Sequence, residues 1–206
     1  MTAAQAEPGK ERRTTRSRPD PARRSRILTA AAELISRNGY HSVALADIGT
    51  AAGIVGSGVY RHFPSKDAIL VALLERVMDR LEAAATAIVE SAADDRSAVT
   101  ALVRNHVTVA VHDRRILQIY HLEAHSVPGN EFRRLRRSQR HYIEEWVSVV
   151  APLHPGRADA DVRVVVHSAI GAIQSILFHH SGLPEGRLGE LLRRAAHACL
   201  EIEPAP

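Results

Sequence analysis

Apolar residues recur along this chain at intervals of three and four, the period of an amphipathic helix, and no stretch alternates like a half-buried strand. Ile27, Ala31, Leu34 and Ile35 mark one helical face over residues 23–38, with Pro21 suited to the helix start. Asn38-Gly39 closes that helix, because glycine accepts the left-handed backbone needed just past a helix end. Residues 45–52 predict a short second helix stopped at Gly53, and residues 56–63 a third. Pro64 interrupts, and Ser65 stands where it can cap a long helix over 66–90, whose Ile69, Leu73, Val77 and Leu81 are spaced by four. Further helices are predicted over 96–112, 115–125, 130–150, 158–180 and 185–201, separated by short loop-type clusters such as Pro128-Gly129. The expectation is an all-α protein of about nine helices.

Three regions follow from the pattern. Residues 1–21 hold Pro8, Gly9, Pro19 and Pro21 among polar residues and read as a flexible basic arm. Residues 22–66 form a helical head and residues 67–206 a helical body. The chain is 45% hydrophobic and 24% charged, the balance of a soluble globular protein rather than a disordered or fibrous one. Its longest weakly polar stretch, residues 164–178, contains His167, Ser168, Gln174 and Ser175 and falls short of the roughly 20 apolar residues of a spanning helix. No membrane association is expected. The charged first 26 residues lack the apolar core of a secretory signal, and the single cysteine, Cys199, fits a reducing cytoplasm.

Charge sharpens the division. Residues 1–66 carry 11 Lys/Arg against 5 Asp/Glu, whereas residues 67–206 carry 16 against 18. The whole basic excess lies in the first third, as in a polyanion-binding head on a near-neutral body. Arginine placement is more informative than arginine number, because Lys10 and Lys66 are the only lysines in an arginine-rich chain.

Two short helices joined at Gly53 make a helix-turn-helix, in which the second helix enters the DNA major groove and the first braces it. Ile48, Ala52, Ile54 and Val59 are placed to lock the pair together. Helix pairs of this kind also occur in bundles that never meet DNA. The order of residues is more specific. Ile27, Ala31, Leu34, Gly39-Tyr40, Ile48, Ala51-Ala52-Gly53-Ile54 and the run from Gly58 to Asp67 (Gly-Val-Tyr-Arg-His-Phe-Pro-Ser-Lys-Asp) resemble the amino-terminal domain of the tetracycline-repressor (TetR) family of bacterial regulators. The resemblance implies a homodimer whose heads bind an inverted-repeat operator in double-stranded DNA and whose helical bodies bind a small effector that releases it.

Site expectations combine that resemblance with the chemistry of the residues. Tyr60, His62 and Lys66 are candidate phosphate contacts, Lys66 sitting at a helix start that itself attracts anions. Arg61 is the only long charged side chain on the third helix and suits a bidentate contact to guanine, or a phosphate contact instead. Ala46, Val55, Gly56, Ser57 and Gly58 present an almost bare front to the groove, with the glycines permitting close backbone approach to DNA. Arg23 and Arg24 extend a basic arm that includes Arg12, Arg13 and Arg16. The chain departs from the family where Val43 and Ala44 replace the usual Thr or Ser before the second helix, with Ser42 one residue early, and where Gly49 replaces alanine.

In the body, His106, Tyr120, Glu123, Tyr142, Trp146, His167 and Gln174 are the polar candidates for a mostly apolar effector pocket, the effector being a small amphipathic molecule with fatty acyl thioesters as one class. Ala169, Ala172, Leu188, Leu192, Ala195 and Cys199 are the candidates for a four-helix dimer surface. An architectural DNA binder without an effector is the second reading. A metalloenzyme is the third, since His121 and His125 flank Glu123 at i, i+4. It lacks the zincin spacing, position 122 being leucine. No cofactor, metal or catalytic residue is expected, and no nucleophile elbow or phosphate-binding glycine loop is present.

Overall fold

The computed structural model describes residues 21–54 and 58–205. Among the described residues there are eight α-helices and no strand. They are α1 (Pro21–Asn38), α2 (Leu45–Ala51), α3 (Lys66–Ser91), α4 (Asp95–His112), α5 (Arg114–Glu123), α6 (Gly129–Val150), α7 (Asp159–Gln174) and α8 (Glu185–Leu200). The arm and its arginines, apart from Pro21, lie outside the described residues, as do Val55, Gly56 and Ser57. The expected third helix is not regular over Gly58–His62, which forms tight turns with the Val59 carbonyl accepting from both His62 and Phe63 N–H at 2.9 Å.

Local chemistry sets the boundaries. Gly39 and Gly53 take φ of 79° and 66°, the left-handed values that end α1 and α2. Ser65 caps α3, its hydroxyl accepting from Ala68 N–H at 3.1 Å, and Asp94 caps α4 in the same way through Ser97 N–H at 2.7 Å. At α2 the cap residue is Ala44, which has no side-chain acceptor. Asp47 instead turns its carboxylate back to Ala44 N–H at 3.0 Å, giving half a capping box without help from Ser42.

The predicted helix over 158–180 is shorter than expected. It changes to a 3-10 turn, Ser175–Phe178, after Gln174. Side chains from the α5 segment hold the carbonyls there: Gln118 donates to Leu177 and Arg114 to His179, the latter at 2.8 Å. Those carbonyls therefore face α5 instead of continuing a helix.

One apolar core runs through head and body without interruption. In the head, Ile27, Leu28, Ala31 and Ile35 of α1 meet Ile48, Val59, Phe63 and the first turns of α3. α1 also packs on α5 of the body. Below, α3 lies along α6, α4 crosses α6 and α8, and α7 pairs with α8 over its length. The segment Asp159–Phe178 is long and apolar enough to cross a membrane by those measures alone. It buries Val162, Val166, Ala169, Ile170 and Ile173 within the protein, as a core helix does.

Candidate functional site

The head presents α2 and the following turn on one side. Ala46 and Arg61 are exposed, and Tyr60 is 63% exposed, its ring projecting from the surface rather than packing on the helix pair. Leu45, Ala46, Gly49, Thr50, Val59 and Tyr60 line a shallow groove of about 320 Å³ between them. Glycine here serves the packing of the head. A Cβ on Gly58 would lie 2.6 Å from Cγ2 of Ile54, and one on Gly49 would lie 2.9 Å from Cγ2 of Val59. Gly58 is therefore required by contact within the helix pair, whatever its part in approaching DNA. The same contact explains why Gly49 departs from alanine.

The flanking cations are not all free for an incoming anion. Lys66 was expected to meet phosphate, yet its Nζ donates to the Tyr40 carbonyl at 2.9 Å and to the His41 carbonyl at 3.4 Å, and lies 4.4 Å from the Tyr40 ring centroid. Its first role is to hold the loop before α2 against the start of α3. Arg24 stacks its guanidinium over Phe63 at 4.9 Å, while remaining exposed along one side. Arg23 is exposed on the same first turn of α1. His62 is partly buried, with Nδ1 enclosed and without a protein partner.

Tyr40 is a junction that sequence reasoning did not single out. Its N–H donates to the Glu123 carboxylate of α5 at 3.2 Å, its carbonyl accepts from Lys66, and its hydroxyl donates to Asp67. Burial, then the hydrogen bond and negative charge of Asp67, raise the Tyr40 hydroxyl well above its ordinary range. Glu123 is thus a strut between body and head, which corrects its expected place in the effector pocket. Nothing local signals this contact, since the partners are 83 residues apart.

A polar cluster sits in the middle of the body. His106 of α4 and Tyr142 and Trp146 of α6 are all buried, at 1%, 3% and 0% exposure. His106 Nδ1 is 2.7 Å from the Tyr142 hydroxyl, and its Nε2 is 3.2 Å from the Gln174 amide nitrogen of α7. Gln174 in turn accepts from His121 Nε2 at 3.0 Å on the surface of α5. The rings of His106, Tyr142 and Trp146 pack at 5.7–6.2 Å between centroids. Burial lowers the His106 pKa to about 4, so the imidazole is neutral at pH 7, and burial pushes the Tyr142 hydroxyl far up, opposed by the nearby Trp146 N–H. Tyr120 is partly buried beside His121, where burial raises its hydroxyl too. His167 is exposed on the outer face of α7 and does not join the cluster.

His121 and Glu123 point to different partners, Gln174 and Tyr40. Among the described residues, no group of three His, Cys, Asp or Glu converges as metal ligands would.

Residues 27–73 match the family model of bacterial regulatory proteins, tetR family. The HTH-type transcriptional repressor KstR2 of Rhodococcus jostii is 31% identical over 146 residues, which covers 69% of this chain and 72% of that protein. The chain belongs to the TetR family. This TetR-family protein is a DNA-binding transcriptional regulator, and the match to KstR2 extends well beyond the head. Its fold is also that of a TetR-family regulator from Bordetella parapertussis 12822, with a TM-score of 0.80 and 20% identity over 88% of this chain and 96% of the other. AibR, solved in complex with isovaleryl coenzyme A and operator DNA, gives 0.70 and 20% over 83% and 96%.

The regulator's last two helices divide the dimer candidates. Ala169 is fully buried and Leu192 is 7% exposed within one chain, where α7 and α8 pack on each other and on α4. They are corrected from interface to monomer core. Ala195 is exposed, while Ala172, Leu188 and Cys199 are partly buried. Leu191, on the apolar stripe the sequence predicts for the dimer surface, does face outward, whereas Val164 and, just beyond α7, Phe178 face outward without having been expected, since a 3.6-residue period cannot say which of two apolar stripes a neighbouring helix will cover.

Proposed function

We propose that this regulator acts in the cytoplasm as a homodimeric repressor that leaves an inverted-repeat operator when a small amphipathic effector enters its body. The head, residues 22–66, takes the DNA, with Tyr60, Arg61, Arg23 and Arg24 as the exposed contacts and His62 as a further phosphate contact. Ala46, Val55 and Ser57 supply the remaining surface toward the bases. The body, residues 67–206, takes the effector and the partner subunit. Val164, Phe178, Leu191 and Ala195 give the partner an exposed apolar surface.

The observation that carries this reading is the buried His106–Tyr142–Trp146–Gln174 cluster, linked through α5 to the Glu123–Tyr40 strut under the head. Hydrogen-bonding groups set within an apolar body are the kind of fixtures by which a small molecule is recognised. The named ligand of AibR and the repressor activity of KstR2 support an acyl thioester as the effector class to test first, and release from DNA as its consequence. Binding, not turnover, is the chemistry this arrangement performs. The test is fluorescence anisotropy of operator DNA against a panel of acyl thioesters. Release by one chain-length class supports the reading, and DNA binding indifferent to all of them overturns the effector assignment.

A further inference from the structure

A groove of about 1010 Å³ runs between α4, α8 and the chain that follows α8. Its outer wall is fastened in place. Glu201 takes a left-handed φ of 55° and turns the chain back toward α4. There Ile202 is buried, and its carbonyl accepts from Nδ1 of the buried His197 at 2.9 Å. Arg96 donates to the Glu203 carbonyl at 2.8 Å, and Ala205 N–H donates to Thr100 Oγ1 at 2.9 Å.

Charge inside the groove is unbalanced. Of the carboxylates on its walls, Glu190 is paired with Arg187 at 2.7 Å and Glu201 with Arg157 at 2.8 Å, and both paired arginines stand outside the groove. Those bonds hold the two carboxyls below the usual carboxylate range. Arg104 of α4 and Arg193 and Arg194 of α8 line the groove with no ion pair or side-chain hydrogen bond among the described residues. Three guanidiniums therefore face one carboxylate left over, that of Glu203. Between them the surface is apolar. Ala195 and Ala198 lie one helical turn apart and exposed, beside Pro204.

We infer that this groove is a second ligand site, separate from the His106 cluster, which binds an organic phosphate such as a nucleoside diphosphate. Guanidinium forks match phosphate oxygens two at a time, and the alanine strip gives a flat apolar group a place to lie. The volume suits a molecule of that size. A duplex held by the head is not the occupant. α3 starts in the head and runs 26 residues, about 39 Å, before α4 begins at Asp95, so the Thr100 wall stands at the end of the body away from the DNA. Leu191 and Ala195, assigned above to the partner subunit, are also lining residues, so the groove opens beside that surface.

Calorimetric titration of the full-length protein with ADP, adenosine and inorganic pyrophosphate tests the site. ADP should bind at least about tenfold more tightly than adenosine, the weight of one charge-assisted hydrogen bond, and more tightly than pyrophosphate, which has no apolar part. Arg104→Gln and Arg194→Gln should each lower ADP affinity about tenfold. Both side chains are exposed, so the thermal midpoint should stay unchanged. Arg61→Ala, in the head, should leave ADP affinity as it was. The site is overturned if ADP fails to bind or binds no better than either other probe. It is equally overturned if the affinity follows Arg61 or survives both groove substitutions undiminished.

Discussion

The Glu123 carboxylate, on the last residue of α5, accepts the backbone N–H of Tyr40 at 3.2 Å. Tyr40 belongs to the loop that aims α2, and α5 carries His121, the surface end of the polar chain that reaches His106. One hydrogen bond therefore joins the element that would sense an effector to the loop that orients the DNA-binding pair. Two-state coupling of this kind needs an element whose position both sites bias, and α5 with its strut is the element the proposed mechanism would use.

Glu123→Ala should uncouple the two. Effector affinity of the DNA-free protein stays near its original value, while the ratio of DNA affinities without and with effector falls toward one. Stability drops by about 1–2 kcal/mol from the unmet Tyr40 N–H. Glu123→Gln retains an acceptor and restores most of the ratio. Anisotropy titrations of both variants check this, and an unchanged ratio in Glu123→Ala removes the strut from the mechanism.

Lys66 separates two roles that sequence alone merges. Its ammonium binds the Tyr40 and His41 carbonyls, so Lys66→Met should lower the thermal midpoint, by an amount equivalent to about 1.5–3 kcal/mol for a charged hydrogen-bond donor. The slope of DNA affinity against salt should change little, in contrast to Arg61→Ala or Arg23→Ala, each of which removes about one phosphate or base contact. A slope lowered by one charge in Lys66→Met, with stability intact, would return this residue to the DNA.

Gly49→Ala reverses the ordinary sign of its substitution class. Alanine in a helix interior is worth roughly 1 kcal/mol over glycine. Here the new methyl would stand 2.9 Å from Val59 Cγ2 and 3.2 Å from the Ile54 carbonyl, and forcing α2 and its turn apart costs about 1–3 kcal/mol. Net destabilisation is expected in chemical denaturation, partly rescued by adding Val59→Ala. A stabilised Gly49→Ala would show that the pair tolerates a wider separation.

Acid should loosen the body through His106. Its folded pKa is lowered to about 4 from an ordinary value near 6.5, so below 6.5 the unfolded chain takes up a proton that the folded chain refuses. Stability is complete above that value and falls as pH drops toward 4, by roughly 3 kcal/mol in all from this residue. Below about 4 both states carry the proton and the contribution stops changing. In His106→Gln, denaturation midpoints across this window should lose that slope, and a retained slope would assign it to other groups.

Much of the fold was legible because it is written locally. Period, Gly39, Gly53 and Ser65 specify helices and their ends through backbone conformations and caps that need only neighbouring residues. The run from Tyr60 to Lys66 marks the family for the same reason. Non-local contacts were not legible. The α5 side chains that take the carbonyls of Leu177 and His179 hold the segment after α7 out of the helix, and nothing within 158–180 announces them. Glu123 looked like a pocket residue because its helix was assigned to the pocket, whereas its direction depends on how α1 packs on α5. Ala169 and Leu192 illustrate the same limit, since α7 and α8 cover each other before any second chain can.

Selection of bound duplexes from a random DNA pool tests the central claim most directly. Full-length protein at moderate salt should enrich an inverted repeat with half-sites about one helical turn apart, centre to centre, or a multiple of it. Arg61→Ala should lose base preference at one position in each half-site. A monomer that enriches no sequence and ignores duplexes even in dilute buffer would contradict the account.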